Sequence, residues 1–448
     1  MIRSGVVRKS LLSGWGRTFV PGHELRSEDL ERITKSAALS RGLGRSYGDA
    51  SLPAAPAQEV VGTTLADRLL RFDETTGVLR AEAGFTLNEL YQLFLPRGFF
   101  TPVTPGTKFV TLGGMVASDV HGKNHHVAGT IGRYVRSLRL RVADGRIIEC
   151  SREHESELFL ATLGGMGLTG HILEVELLLA RVPSPWIYQE TFRIPDLTTF
   201  LKALKEGSAR WPMTVGWIDT VARGAALGRG ILFCGRWAEP HEAPSHFPSR
   251  KLQLSMPFAL PSHLLNRLTM GIFNEGVYRQ HIGLHRKSIV NPDSYFYPLD
   301  FVHHWNRGYG ARGVTQHQSV LPHGGVEGGL RDMIEILSRY KTASFLTVIK
   351  DCGEEGEGLL SFPRPGVSLA LDIPIRDNIQ EIIDALNERV IKGGGRIYLT
   401  KDGYTRPEHF AQMEPRLERF LAVKRKWDPH NKLHSAQSER LFRLGAKS

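Results

Sequence analysis

Cysteine is nearly absent. Cys150, Cys234 and Cys352 are the only three in 448 residues. An odd number at wide spacings excludes a disulfide framework and a zinc ribbon, and points to a reducing compartment. Long apolar runs are missing as well. No stretch of about 18 apolar residues offers a membrane span, and the basic start "MIRSGVVRKSLLSGWGRT" lacks the apolar run of a signal peptide. The expectation is a cytoplasmic protein, at most peripheral on a membrane. Finger, basic-zipper and RNP motifs are absent, so nucleic acid is not an expected partner. HExxH is absent too, and no metal is expected.

The sequence is rich in glycine, 47 residues, and in positive charge, net +11. The charge favours anionic partners such as phosphates or an acidic membrane surface. At 41% hydrophobic and 23% charged the chain is an ordinary globular protein, long enough for two or more domains.

The first ~180 residues read as short strands and glycine loops. "ADGRII" (143–148) carries a hairpin turn. Amphipathic helices are expected over 86–98 and 154–165, each stopped by glycine. A strand, "HILEVELLLARV", follows at 171–182. From about 186 three units repeat the order strand, helix, strand: "QETFRI" to "MTVGWIDT", "VTQHQSVLP" to "SFLTVIKD", and "VSLALDIPI" to "RIYLTKDG". Such units build an open sheet with helices on one face. Between the first two units, 240–312 reads as a long loop. Its 250–290 stretch holds six Lys/Arg against one acid, Glu275, with apolar pieces such as "MPFALPSHLL" interleaved. A solvated insertion and a lid or membrane-facing patch are both open.

Three glycine segments carry the functional signal. "RGLGRSYGD" (41–49) and "PVTPGTKFVTLGGMVASDVHGKN" (102–124) turn tightly, and "GGMGLTG" (164–170) contains a formal GxGxxG. The last fails as a dinucleotide fingerprint, because its helix comes before and its strand after. Bare peptide N–H groups still cradle phosphate in such loops, and three loops suggest one large, extended, anionic ligand. In "SDVHGKNHH" (118–126), Lys123 and Asn124 bring donors that suit phosphate or carbonyl oxygens better than a metal.

These segments, with "YFYPLDFVHHWNR", "LLSFPRPG" and "RIYLTKDG", resemble the decaprenylphosphoryl-β-D-ribose 2′-oxidase family of flavoenzymes, within the vanillyl-alcohol-oxidase, PCMH-type FAD-binding superfamily. The resemblance runs from "LSGWGRT" to "WDPHNKLHSAQSERL". It implies an α+β fold: a PCMH-type FAD-binding domain of two α/β subdomains over 1–185, a substrate domain with an antiparallel sheet flanked by helices over 186–395, and a return to the first domain over 396–448. It places FAD contacts on Arg41, Gly42, Leu43, Gly44, Arg45, Ser46, Tyr47, Gly48 and Asp49. Further contacts fall on Gly106, Thr111, Leu112, Gly113, Gly114, His121, Gly122, Lys123, Asn124, Ile172 and Tyr398. Many relatives in the wider fold attach FAD through a histidine in the first loop; Tyr47 stands there here, so non-covalent FAD is expected.

The activity implied is that of an FAD-dependent oxidoreductase acting on CH–OH groups. The 2′-hydroxyl of a polyprenyl-phosphate-linked pentose would be oxidised to the 2′-keto sugar, its hydride passing to flavin N5. That is the first half of an epimerisation to arabinose for the cell envelope, which an NAD(P)H-dependent ketoreductase would complete. Lys401 is the main candidate for the active site, as base or as electrostatic clamp, with His121 and Tyr47 beside it. The substrate set is Lys123, Gln316, Gln318, Lys350, Ser368, Ala370 and Lys401. Gln316 and Gln318 share a strand face by the period of two, and glutamine both donates to and accepts from sugar hydroxyls. The last strand is expected to end near Thr400, since regular alternation would put Tyr398 and Lys401 on opposite faces. The best-known actinobacterial relatives carry Cys at Ala370, Asn at Ser368, Tyr at Phe296 and Trp at Val277, so the sugar and lipid stay open. The alternatives are a flavin enzyme for a soluble alditol or aldonolactone, and a non-catalytic basic protein at a membrane surface.

Overall fold

The computed structural model describes residues 7–442 except 57, 250–252, 262–264 and 282. Among them three larger sheets organise the chain. The first is four-stranded, in the order Val7–Ser13, Phe19–Arg26, Glu59–Gly62, Leu39–Arg41. The second is antiparallel and five-stranded: Leu69–Asp73, Val78–Glu82, His171–Leu178, Val135–Arg141, Ile147–Ser151. Its last two strands form the hairpin that "ADGRII" predicts, with Gly145 at φ +93°. The helix Leu87–Phe94 opens on a capping box between Thr86 and Glu89 and closes through a 3₁₀ turn at Gly98, φ +76°.

The third sheet is antiparallel and eight-stranded. Its order is His285–Val290, Ile187–Ile194, Gly230–Trp237, Met213–Ile218, Thr347–Cys352, Gly366–Pro374, Val314–Leu321, Arg396–Ile397. The three repeated units supply its helices, Leu197–Arg210, Val326–Arg339 and Ile379–Lys392. They cover one face with Phe200, Leu330, Met333, Ile382 and Leu386.

The alternation of the central strands then decides what faces the other way. On Val314–Leu321, His317 Nε2 meets Asn387 Oδ1 at 3.0 Å, and Ser319 meets Met333. Both contacts lie on the helix side, so Gln316 and Gln318 point away from it. On Gly366–Pro374, Leu369, Leu371 and Ile373 join the core, while Ser368, Ala370 and Asp372 pair in register with Val320, Gln318 and Gln316. Every residue of both strands is buried. Polar side chains inside a sheet covered on both faces must meet partners or line a cavity.

Two expectations are corrected. Residues 240–312 are not simply a loop: they hold the helix Arg267–Gln280, the edge strand His285–Val290 and the helix Pro292–Phe296. The long helix buries only Met270 and Asn274, so no inward apolar stripe betrays it. The edge strand, "HRKSIV", is exposed or half-buried along its length. The last strand stops at Ile397, not near Thr400. A turn with Lys401 N–H donating to Tyr398 O at 3.0 Å follows it.

Residues 396–397 thus belong to the eight-stranded sheet; beyond them the helix Pro407–Met413 packs on Ile379–Lys392, and the helices Leu417–Trp427 and Ala436–Phe442 meet the N-terminal region. Lys424 Nζ, buried, donates to Asp428 Oδ2 at 2.7 Å and to Leu433 O at 2.8 Å. Arg440 Nη2 bridges Asp49 Oδ1 at 2.7 Å and Asp402 Oδ2 at 2.9 Å. Tyr47 N–H donates to Thr400 O at 2.9 Å. No helix among the described residues is long and apolar enough to cross a membrane.

The first glycine loop and the Lys401 turn touch backbone to backbone: a Cβ on Gly48 would lie 1.7 Å from Asp402 O. Gly48→Ala is therefore expected to cost at least the ~1–3 kcal/mol of an overpacked site. It should melt several degrees below the parent; a thermal unfolding curve that overlays the parent's would contradict this contact.

Candidate active site

Between the glycine loops and the face of the eight-stranded sheet away from its helices runs a cleft of about 1850 Å³ counted with its open mouth. All three glycine segments meet in it, through Arg41–Tyr47, Pro105–Thr107 and Phe109–Thr111, Gly113 and Gly114, and Met166, Gly167 and Gly170. The first loop bends through Gly44 at φ +64°, the third through Gly167 at φ +79°. Among the described residues, the N–H groups of residues 42–46 donate to no protein atom. Arg45 Nε, Ser51 Oγ and His121 Nδ1 are buried without partners. A Cβ added at Gly106 or Gly167 would meet nothing within 4 Å.

Gln316, Gln318, Val348, Lys350 and Ala370 from three adjacent strands form the opposite wall, joined by Tyr398, Thr400 and Lys401 from the turn. Tyr398 is fixed by its hydroxyl on Ser118 O at 2.9 Å and by stacking on Phe362 at 4.9 Å. Lys401 Nζ lies 4.3 Å from the centre of the Tyr47 ring. Leu299, Asp300 and Val302–Trp305 close the end near Trp15. There the Arg45 guanidinium stacks on Trp15 at 4.2 Å, and Trp15 meets Trp305 edge-on at 5.6 Å.

The cleft is positive. Neither Lys350 nor Lys401 has a carboxylate within ion-pair distance among the described residues. Burial pushes the Lys401 ammonium down to about 8, with Asp372 opposing and Lys350 adding to the fall. Burial lowers Lys350 as well. It drives His121 well below the ordinary histidine value, helped by Lys350, His125 and Lys401, so that ring is neutral. Asp372, wholly buried, is pushed up to about 6.

Several expected residues stand outside this lining, each for a visible reason. Gly48 packs on the backbone of Asp402, and Asp49 is taken by Arg440. Leu112 is in the apolar core. Gly122 abuts Thr104 O, and Asn124 Nδ2 donates to Pro102 O at 2.8 Å. Lys123, expected to face the substrate, donates instead to Tyr295 O and Phe296 O. Burial, with Lys350 nearby, brings it down to about 7. Ser368 lies beneath Gln318 Nε2, at 3.3 Å. The others, Arg41 to Tyr47, Gly106, Thr111, Gly113, Gly114, His121, Ile172, Gln316, Gln318, Lys350, Ala370, Tyr398 and Lys401, come together in the cleft. Sequence reasoning missed Trp15, Phe109 and Trp305. Their one signal was that they flank glycine or basic motifs.

Unpaired peptide donors, partnerless buried donor groups and two free lysines are what a long, oxygen-rich anion requires. FAD, with its diphosphate, ribityl and flavin carbonyl oxygens, fits this donor set.

Comparison with known proteins agrees. The family model described as an FAD binding domain matches residues 29–151. The chain is 33% identical over 449 residues to decaprenylphosphoryl-β-D-ribose oxidase of Mycolicibacterium smegmatis, covering 96% of this chain and 97% of that one. Shorter similarities reach L-gulonolactone oxidase of Mus musculus, 31% over 113 residues and a quarter of each chain. They also reach D-lactate dehydrogenase of Archaeoglobus fulgidus, 32% over 136 residues, 29% of this chain and 30% of that one.

Proposed function

Because the chain belongs to the decaprenylphosphoryl-β-D-ribose oxidase family, we propose that it oxidises the 2′-hydroxyl of a polyprenyl-phosphate-linked pentose to the 2′-keto sugar. It is an FAD-dependent oxidoreductase. On this reading the four- and five-stranded sheets are the two subdomains of a PCMH-type domain. Residues 1–185 and 396–448 hold the cofactor, and 186–395 the sugar. The observation that carries the substrate reading is the polar row Gln316, Gln318 and Lys350 on a buried sheet face, joined by Lys401 from the turn beside it, in the cleft that the glycine loops also line.

FAD, when bound, supplies the acceptor for the hydride that leaves C2′. The residues around it do the rest. The amides of 42–46, with Arg45 and Ser51, hold the anionic length of the cofactor, and no covalent bond is formed, since Tyr47 stands in the loop where relatives carry histidine. Acid precipitation should release all the flavin. Gln316 and Gln318 orient the sugar, and Lys350 meets its phosphate. Lys401 is the catalytic residue: its ammonium stabilises the negative charge that develops on the substrate oxygen as the hydroxyl proton passes to water at the cleft mouth. A keto-sugar product calls for a separate NAD(P)H-dependent ketoreductase to complete an epimerisation.

The long insertion supports a membrane contact. Leu268 and Ile272, one helical turn apart, are 73% and 67% exposed, and Arg279, Arg286 and Lys287 lie nearby in the chain. Leu254, exposed, pairs with Val302 of the cleft wall. An exposed, apolar and basic insertion, joined to the cleft wall through Leu254 and Ser255, suits an acidic lipid surface that delivers a lipid-linked substrate.

Three outcomes test this. Under anaerobic conditions, polyprenylphosphoryl ribose should bleach the bound flavin while free alditols and aldonolactones do not; the reverse preference would favour a soluble-sugar enzyme, the reading the gulonolactone oxidase similarity allows. Because Lys401 is protonated below about 8, kcat should fall as pH rises through 8. Lys401→Met should lose roughly 100-fold or more, and Lys401→Arg should flatten the profile. A rate that climbs through pH 8 would make Lys401 a base instead. Leu268→Glu with Ile272→Glu should abolish co-sedimentation with phosphatidylglycerol vesicles and leave turnover of a short-chain substrate intact; unchanged sedimentation would remove the membrane contact.

A further inference from the structure

We propose that Asp372 is a positioning residue that fixes which end of the Gln316 amide the substrate meets, so that the cleft recognises a sugar hydroxyl only as a hydrogen-bond donor. This rests on the reading of the cleft as a sugar site and deepens it.

Asp372 is fully buried and sits opposite Gln316 in the strand register. Its Oδ2 accepts from the Tyr309 hydroxyl at 3.0 Å, and its Oδ1 accepts from Gln316 Nε2. An ionised carboxylate only accepts. It therefore forces the NH₂ end of the amide toward itself, and no flip satisfies both groups. Burial raises Asp372, but the Tyr309 hydroxyl on its other oxygen and the nearby Lys401 ammonium favour the carboxylate. Gln316 Oε1 accepts no bond from the described residues and is not sealed off, while Gln316 lines the cleft.

Gln318, two residues along the same face, meets partners that set no direction. Its amide lies 3.0 Å from His121 Nε2 and 3.3 Å from Ser368 Oγ, and a neutral imidazole and a hydroxyl each donate or accept. Asp372 alone is an acceptor only, so Gln316 Oε1 is the carbonyl oxygen left fixed for the ligand. A sugar hydroxyl offers it a donor. A fluorine, which accepts but cannot donate, faces its lone pairs.

The test uses the flavin-loaded enzyme and a short-chain polyprenylphosphoryl ribose, together with its 2-deoxy-2-fluoro and 3-deoxy-3-fluoro analogues. Binding is read from the perturbed flavin absorbance. Wild type should bind at least one fluoro analogue about 100-fold more weakly than the parent, as expected when one acceptor is left facing lone pairs. Asp372→Asn frees the amide to present either end, and should shrink that discrimination to about 10-fold or less at unchanged flavin content. Gln316→Met removes the acceptor, leaves Asp372 held by Tyr309 alone, and should erase the discrimination at the sugar position that Gln316 meets. Discrimination that survives Asp372→Asn in a flavin-loaded protein, or survives Gln316→Met at both positions, overturns the inference alone. A wild type that binds no ribosyl parent overturns the substrate reading and this inference with it.

Discussion

Peptide N–H groups without acceptors govern the rest of this structure. Residues 42–46 leave theirs unpaired among the described residues and half-open to the cleft. A ligand that covers them without supplying acceptors would strand them, so the partner they favour brings oxygens. The neighbouring features obey the same demand. The second and third glycine segments bring more backbone to the same cleft. Lys350 and Lys401 are left without counter-ions, and the nearby histidine stays neutral, so net positive charge is kept for a ligand that carries phosphate.

The two walls solve different problems. The loop wall holds a constant, anionic partner with backbone, which any side-chain change leaves in place. The sheet wall reads a variable partner with side chains, and its strands are rigid because helices cover their other face. Ala370 lines the cleft; Phe296 instead stacks on Phe100 at 5.6 Å, away from it. A change at Ala370 would therefore alter the cleft wall, and one at Phe296 the support of the Lys123 carbonyl cradle.

Much of this was legible in the chain, because the strongest signals are local. Glycine spacing marks the cradle loops, and a period of two places Gln316 and Gln318 on one face. The three strand–helix–strand units announce the large sheet. What escaped was long-range or outward-facing. The helix Arg267–Gln280 turns its apolar residues to solvent, so its pattern resembles a loop. Lys123 sits in a segment full of donors, yet Tyr295 and Phe296, more than 170 residues later, claim its ammonium. The Trp15–Trp305 contact closes the cleft from opposite ends of the sequence, where no periodicity operates. Lys401 was singled out only through resemblance, since a lone lysine after a strand has no physical signature of its own.

The bridge from Arg440 to Asp49 spans 391 positions. During synthesis at roughly 5–20 residues per second, the first glycine loop would emerge some 20–80 s before the residue that fastens it. That latch therefore closes late, once the helix Ala436–Phe442 has been made. A product truncated before it, however well its early sheets have formed, leaves the ribosome with the first glycine loop unfastened at Asp49.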